Sequence, residues 1–158
     1  MHSVKNHLGV LFFINNMTEI IKKKKILTDK IKNSANTAIA VADKYISSFT
    51  PDIFGKQKLN DKSEADFFAL SETLHFFSEQ IMDQANALLA LEKKSESAES
   101  MNIRESARLV SEIPDLCVDP FLLSVYEEIK KDVADVGNIR RAASVFSAKL
   151  HNYITRIS

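Results

Sequence analysis

Apolar residues recur with helical spacing along most of the chain, most clearly from Ser63 to Lys94. This stretch contains no proline or glycine. Its apolar positions are separated by alternating steps of three and four residues, which is the period of an amphipathic helix. They are Phe67, Leu70, Leu74, Phe77, Ile81, Ala85 and Leu88. We therefore predict a long helix with one face in the core.

A second long helix is predicted from Thr18 to Phe49, with the Thr18 hydroxyl as its N-cap. Residues 1–16 are then either an upstream extension or a short helix whose Leu11, Phe12 and Ile14 cap one end of the core. Their apolar run, 8–14, is far below the ~18 residues that a membrane span needs. We therefore expect no transmembrane helix.

The second half of the chain predicts shorter elements. A short helix is expected from Ile103 to Glu112, followed by a bend between Pro114 and Pro120 in which Leu116 and Val118 point inward. Asp119 and Pro120 are a strong helix start, because proline is tolerated at the first helical position. The apolar pattern then continues past Gly137, so the remainder is either one helix kinked there or two helices with Asn138 as the second cap.

The composition supports an all-α fold. The 158 residues include only 3 glycines and 3 prolines, so the turn residues of sandwiches and barrels are scarce. We predict a single domain, 1–158, built as a helical bundle of three or four long antiparallel helices plus short helices. The lone Cys117 can form no intramolecular disulfide, which favours a cytoplasmic location. No cofactor is expected.

Candidate metal or catalytic chemistry is confined to the polar face of the central helix. Glu72, His75, Glu79 and Asp83 follow one another along this face. The Glu-x-x-His pair resembles half of the di-iron pattern of ferritin-like bundles, which needs a second such motif that the chain lacks. A metal-binding or hydrolytic enzyme that uses Glu72, His75 and Glu79 is therefore the alternative, not the favoured, interpretation.

Four consecutive lysines, Lys22, Lys23, Lys24 and Lys25, form a possible basic patch. Consecutive helical residues point all round the axis, and Lys24 falls on the apolar stripe, so this turn is expected to project beyond the core. No aromatic residue or arginine lies within the run, and the formal net charge of the chain is zero. Nucleic-acid binding by this helix is thus a weaker alternative.

Two aromatic residues depart from the amphipathic pattern. Phe68 and Phe76 lie away from the core stripe, among acidic residues, where large aromatic side chains are seldom left in water. Another segment covers them, such as residues 1–16 or the loop at Phe54, or they contact another protein, or they line a pocket for an apolar ligand. We predict a non-catalytic, self-associating interaction module, or one that binds a helical partner protein, with a contact surface formed by Phe68, Phe76, Met82 and Leu89.

Overall fold

Helices make up almost all of the computed structural model, which describes residues 2–49, 55–59, 61–95 and 99–157. The elements in chain order are α1 (His2–Ser47), β1 (Lys56–Gln57), α2 (Asp61–Lys94), α3 (Glu99–Ile113), a π-helical segment (Pro114–Val118), α4 (Asp119–Ile129), β2 (Ala134–Asp135) and α5 (Val136–Arg156). This confirms the all-α class. The buried apolar side chains of the described residues form one core cluster.

The first helix is longer than predicted. α1 runs from His2 to Ser47 without a break, so Thr18 lies inside the helix and is not its N-cap. Residues 2–16 belong to the same helix and form no separate short one. Leu11 is exposed and does not cap the core, and the side chains of Phe12 and Ile14 lie outside the part of the chain that the structure describes. Among the α1 side chains that are described, Ile20 is the first that is buried.

The central helix is confirmed. α2 begins at Asp61, so Ser63 lies in its first turn, and it ends at Lys94 as predicted. All seven apolar positions that defined its core face are buried. The periodicity located this face correctly, because residues three and four positions apart lie on the same side of a helix.

Two helices of the core, α1 and α2, run in opposite directions. Tyr45, near the end of α1, lines a groove with Asp66 at the start of α2, whereas Ser34 lies beside Gln80 further along. The buried face of α1 is rich in alanine, which allows neighbouring helices to approach closely. Its small buried residues are Ala35, Ala38 and Ala42.

The predicted bend after α3 is absent. The chain continues from α3 through the π-helical segment into α4, with Pro114 at the first position of that segment. The Asp119 N–H then donates to the Pro114 carbonyl, five residues earlier. The extra residue in this wide turn alters which side chains face inward: Val118 is buried, but Leu116 is exposed, contrary to the prediction.

Gly137 does not kink one continuous helix, because the chain forms two helices, α4 and α5, joined by residues 130–135. The N-cap of α5 is Asp135, whose carboxylate accepts a hydrogen bond from the Gly137 N–H at 2.9 Å; Asn138 is not the cap. The short strands β1 and β2 pair antiparallel at this junction. Gly55 precedes them with a φ of +78°, a conformation that glycine adopts without strain.

Candidate interaction surface

The four residues predicted to form a contact surface are all exposed on α2. The exposed fractions are 62% for Phe68, 60% for Phe76, 40% for Met82 and 41% for Leu89. Both aromatic rings are thus largely uncovered, and Phe54 and most side chains of residues 1–16, the proposed covering segments, lie outside the part of the chain that the structure describes. The face that the sequence singled out is therefore open to contact.

The four residues do not form a single strip. Phe68, Met82 and Leu89 are spaced by multiples of seven residues and share a line with the exposed His75. We call Phe68, His75, Met82 and Leu89 the α2 row; from Phe68 to Leu89 it spans about 32 Å at the helical rise of about 1.5 Å per residue. Phe76 lies about 80° further round the axis, where it lines a groove beside Thr37 and Ala38 of α1.

Aromatic packing connects the α2 row to α4. The buried Phe67 ring lies 6.1 Å from the Phe68 ring and stacks on Tyr126 at 5.7 Å. The Lys130 ammonium lies 4.0 Å from the centre of the Tyr126 ring, a distance at which a cation is attracted to an aromatic face. Tyr126 itself is 39% exposed. The apolar surface next to Phe68 thus extends onto a second helix.

The residues considered for metal binding or hydrolysis lie on the same helix, α2. Glu72, His75 and Glu79 are exposed, and the Nδ1 atom of His75 lies 3.3 Å from the Ser71 hydroxyl oxygen. Among the residues that the structure describes, no three His, Cys, Asp or Glu side chains are grouped closely enough to hold a metal ion. No geometric feature of these residues favours the metal or hydrolytic interpretation.

The four-lysine run does not form one basic surface. Lys24 is only 5% exposed, so it does not project beyond the core. Its ammonium group lies 3.1 Å from the Glu99 carboxylate at the start of α3. Lys22, Lys23 and Lys25 are exposed and point in different directions around α1. The burial of Lys24 could not be predicted from the sequence, because its partner Glu99 lies 75 residues away in the chain.

A buried carboxylate that the sequence analysis missed organises the junction between α4 and α5. Glu128 is 5% exposed and accepts hydrogen bonds from the Asp135 N–H at 2.7 Å, Lys131 Nζ at 3.0 Å and Asn138 Nδ2 at 3.2 Å. Burial raises the pKa of Glu128, but the three hydrogen bonds outweigh this effect and hold the pKa below its ordinary value. The local spacing of Glu128 and Lys131 is the only sequence signal for this arrangement.

An open groove of about 400 Å³ adjoins Glu128 between α4 and α5. Its floor includes the stacked rings of Phe121 and Phe146, whose centroids are 4.9 Å apart. The lining also contains Cys117, which is buried. Burial raises the pKa of this thiol to about 11, so it is protonated at neutral pH and a poor nucleophile. Cys117 therefore acts as a small apolar residue of the core.

The fold and surface therefore define an all-α protein with an exposed apolar row on a central helix. Comparisons of the chain with protein-family models, with curated proteins and with solved structures found no match. None of the described helices combines the length and apolar character that crossing a membrane requires.

Proposed function

We propose that this chain is a non-catalytic, cytoplasmic interaction module, an antiparallel helical bundle that self-associates through the exposed face of α2. The observation that carries the proposal is the α2 row, whose apolar side chains stay 40% to 62% exposed on a helix whose core face is already packed against other helices. Such a row along one helix is typical of a surface that contacts another helix.

Of the four contact residues, we propose that Phe68, Met82 and Leu89 carry most of the binding energy. Phe76 belongs to the edge of the surface, because it lies on the side of α2 that faces α1. Aromatic and methionine side chains are enriched at protein interfaces, whereas lysine and glutamate are depleted. The geometry supports this role more than metal binding, hydrolysis or nucleic-acid binding by Lys22–Lys25.

The expected affinity follows from the area still exposed. Complete burial of a Phe, Leu or Met side chain contributes about 1.5 to 3 kcal/mol, and these three residues are already about half covered. Two protomers would thus gain on the order of 5 to 9 kcal/mol, against an association cost of about 4 to 15 kcal/mol. At best about 5 kcal/mol of binding free energy remains, so we expect a weak, reversible assembly with a dissociation constant no tighter than about 0.2 mM.

Sedimentation velocity over a wide range of protein concentration tests the proposal. We expect the weight-average sedimentation coefficient to rise with concentration, and Phe68→Ser to weaken association about tenfold. Phe76→Ser is the matched control, because Phe76 is equally exposed on the same helix; it should change association less than twofold. A chain that stays monomeric at concentrations of several millimolar, or one that loses association only with Phe76→Ser, would refute this assignment.

A further inference from the structure

The α2 row is flanked by opposite charges. Glu64 lies four residues before Phe68, Lys93 lies four residues after Leu89, and both are exposed. At about 100° per residue, Glu64, Lys93 and the whole row fall within a sector of about 60° around the helix axis. The line therefore begins with an acidic residue, continues through the row and ends with a basic residue.

The spacing along this line is symmetric about a point between Ser78 and Glu79. When a second copy of α2 is laid antiparallel about a twofold axis at that point, Glu64 faces Lys93 of the partner subunit. Phe68 then faces Leu89 of the partner subunit, and His75 faces Met82 of the partner subunit. Each of these contacts occurs twice, as a twofold interface requires.

The parallel arrangement in the same register is disfavoured by charge. It would place Glu64 against Glu64 of the partner subunit, and Lys93 against Lys93 of the partner subunit. Exposed ion pairs add little to affinity, but opposed like charges select between orientations. The small side chains of Ser71 and Ser78, which border the row and are half-buried, leave room for a neighbouring helix to approach.

We infer that the partner at this surface is a second copy of the chain, bound through an antiparallel α2–α2 contact with Glu64 and Lys93 at its two ends. This inference rests on the proposed self-association and adds the orientation, the register and the charged pair that fixes both. Glu72, Glu79 and Asp83 lie to the outer side of the row, where they remain in contact with water.

Charge reversal tests the pairing of the two ends. Glu64→Lys alone and Lys93→Glu alone should each weaken association about tenfold in sedimentation velocity, because each replaces two attractive contacts with two repulsive ones. The double variant restores both contacts and should return to within twofold of the wild-type dissociation constant. A double variant as weak as the two single variants would overturn the antiparallel register.

Crosslinking tests orientation independently, with Cys117→Ala as the background to remove the native thiol. His75→Cys and Met82→Cys proteins are treated with a short bismaleimide, each alone and as an equimolar mixture. The antiparallel contact predicts a covalent dimer in the mixture and little in either single sample. Efficient crosslinking of each protein with itself would instead indicate a parallel contact. A dimer that gives no crosslink in any sample would show that the α2 row is not the contact surface.

The two proposals fail in different ways. A wild-type chain that is monomeric at every concentration refutes both the self-association and the antiparallel α2–α2 contact. A chain that associates, is weakened by Phe68→Ser and yet fails the charge-reversal and crosslinking tests retains the proposed function and refutes only the antiparallel arrangement.

Discussion

Removing the Glu128 carboxylate should destabilise the fold by disconnecting α4 from α5. Glu128→Ala deletes an acceptor that is 5% exposed and receives three hydrogen bonds, at 2.7, 3.0 and 3.2 Å. A hydrogen bond to a charged group contributes about 1.5 to 3 kcal/mol, but the Lys131 side chain is 56% exposed, and its pair with Glu128 should add less than about 1 kcal/mol. Since such terms are not additive, we expect a total loss of about 2 to 4 kcal/mol.

Urea denaturation monitored by circular dichroism at pH 7 measures this loss. Glu127→Ala is the matched control, because it removes the same charge from the neighbouring exposed residue and should change the free energy of unfolding by less than about 0.5 kcal/mol. Equal effects of the two substitutions would show that the loss comes from net charge and not from the junction. A loss below about 0.5 kcal/mol for Glu128→Ala would refute the structural role of the carboxylate.

The pH dependence gives a second check on Glu128. A carboxyl whose pKa is lower in the folded state than in the unfolded state stabilises the fold above its unfolded pKa of about 4.3. This stability is lost as the pH falls through the lower, folded-state pKa. The difference in unfolding free energy between wild type and Glu128→Gln should therefore be constant from pH 7 to pH 5 and shrink below pH 4.3. A difference that grows on acidification would contradict the lowered pKa.

Two further predictions concern the core. Leu150 is fully buried, so Leu150→Ala should lower the free energy of unfolding, measured by urea denaturation, by about 2 to 5 kcal/mol. Leu123 is 57% exposed, so Leu123→Ala should lower it by less than about 0.5 kcal/mol. Similar losses for the two variants would contradict the burial pattern. Tyr45 has a buried hydroxyl that finds no hydrogen-bond partner in the described part of the chain, and burial, aided by the nearby Asp66 charge, raises its pKa. Removing an unsatisfied buried hydroxyl relieves a desolvation cost of about 1 to 3 kcal/mol. Tyr45→Phe should therefore raise the melting temperature in thermal denaturation. A melting temperature lowered by several degrees would indicate that the hydroxyl is hydrogen-bonded.

The sequence predicted the core faces better than the places where helices begin and end. The core residues of α2 were predictable because the residues that a helix buries on one face recur every three or four positions along the sequence. The start of α1 was not, because a threonine can cap a helix only where the chain turns, and nothing in the local sequence at Thr18 requires a turn. The bend predicted at Pro114 was also wrong, because the π-helical segment accommodates this proline without a bend. The extra residue in that segment turns Leu116 outward.

Side chains whose partners are distant in the chain were the hardest to predict. Lys24 appeared to be part of a basic patch, although it pairs with Glu99 at the start of α3. Glu128 appeared to be one surface acid among many, although it holds the start of α5 through Asp135 and Asn138. In both cases the charge is visible in the sequence, but the tertiary contact that gives it a structural role is not.

The exposed row on α2 follows from periodicity but is not explained by packing within the described part of the chain. The core face of α2 alternates steps of three and four residues and is covered by other described helices, whereas Phe68, His75, Met82 and Leu89 recur every seven residues on a different line. A helix that only bordered water would gain nothing from the large apolar side chains of Phe68, Met82 and Leu89 on this line. Under the proposed self-association, the symmetric placement of Glu64 and Lys93 around this line makes another copy of α2 the neighbour that best covers it.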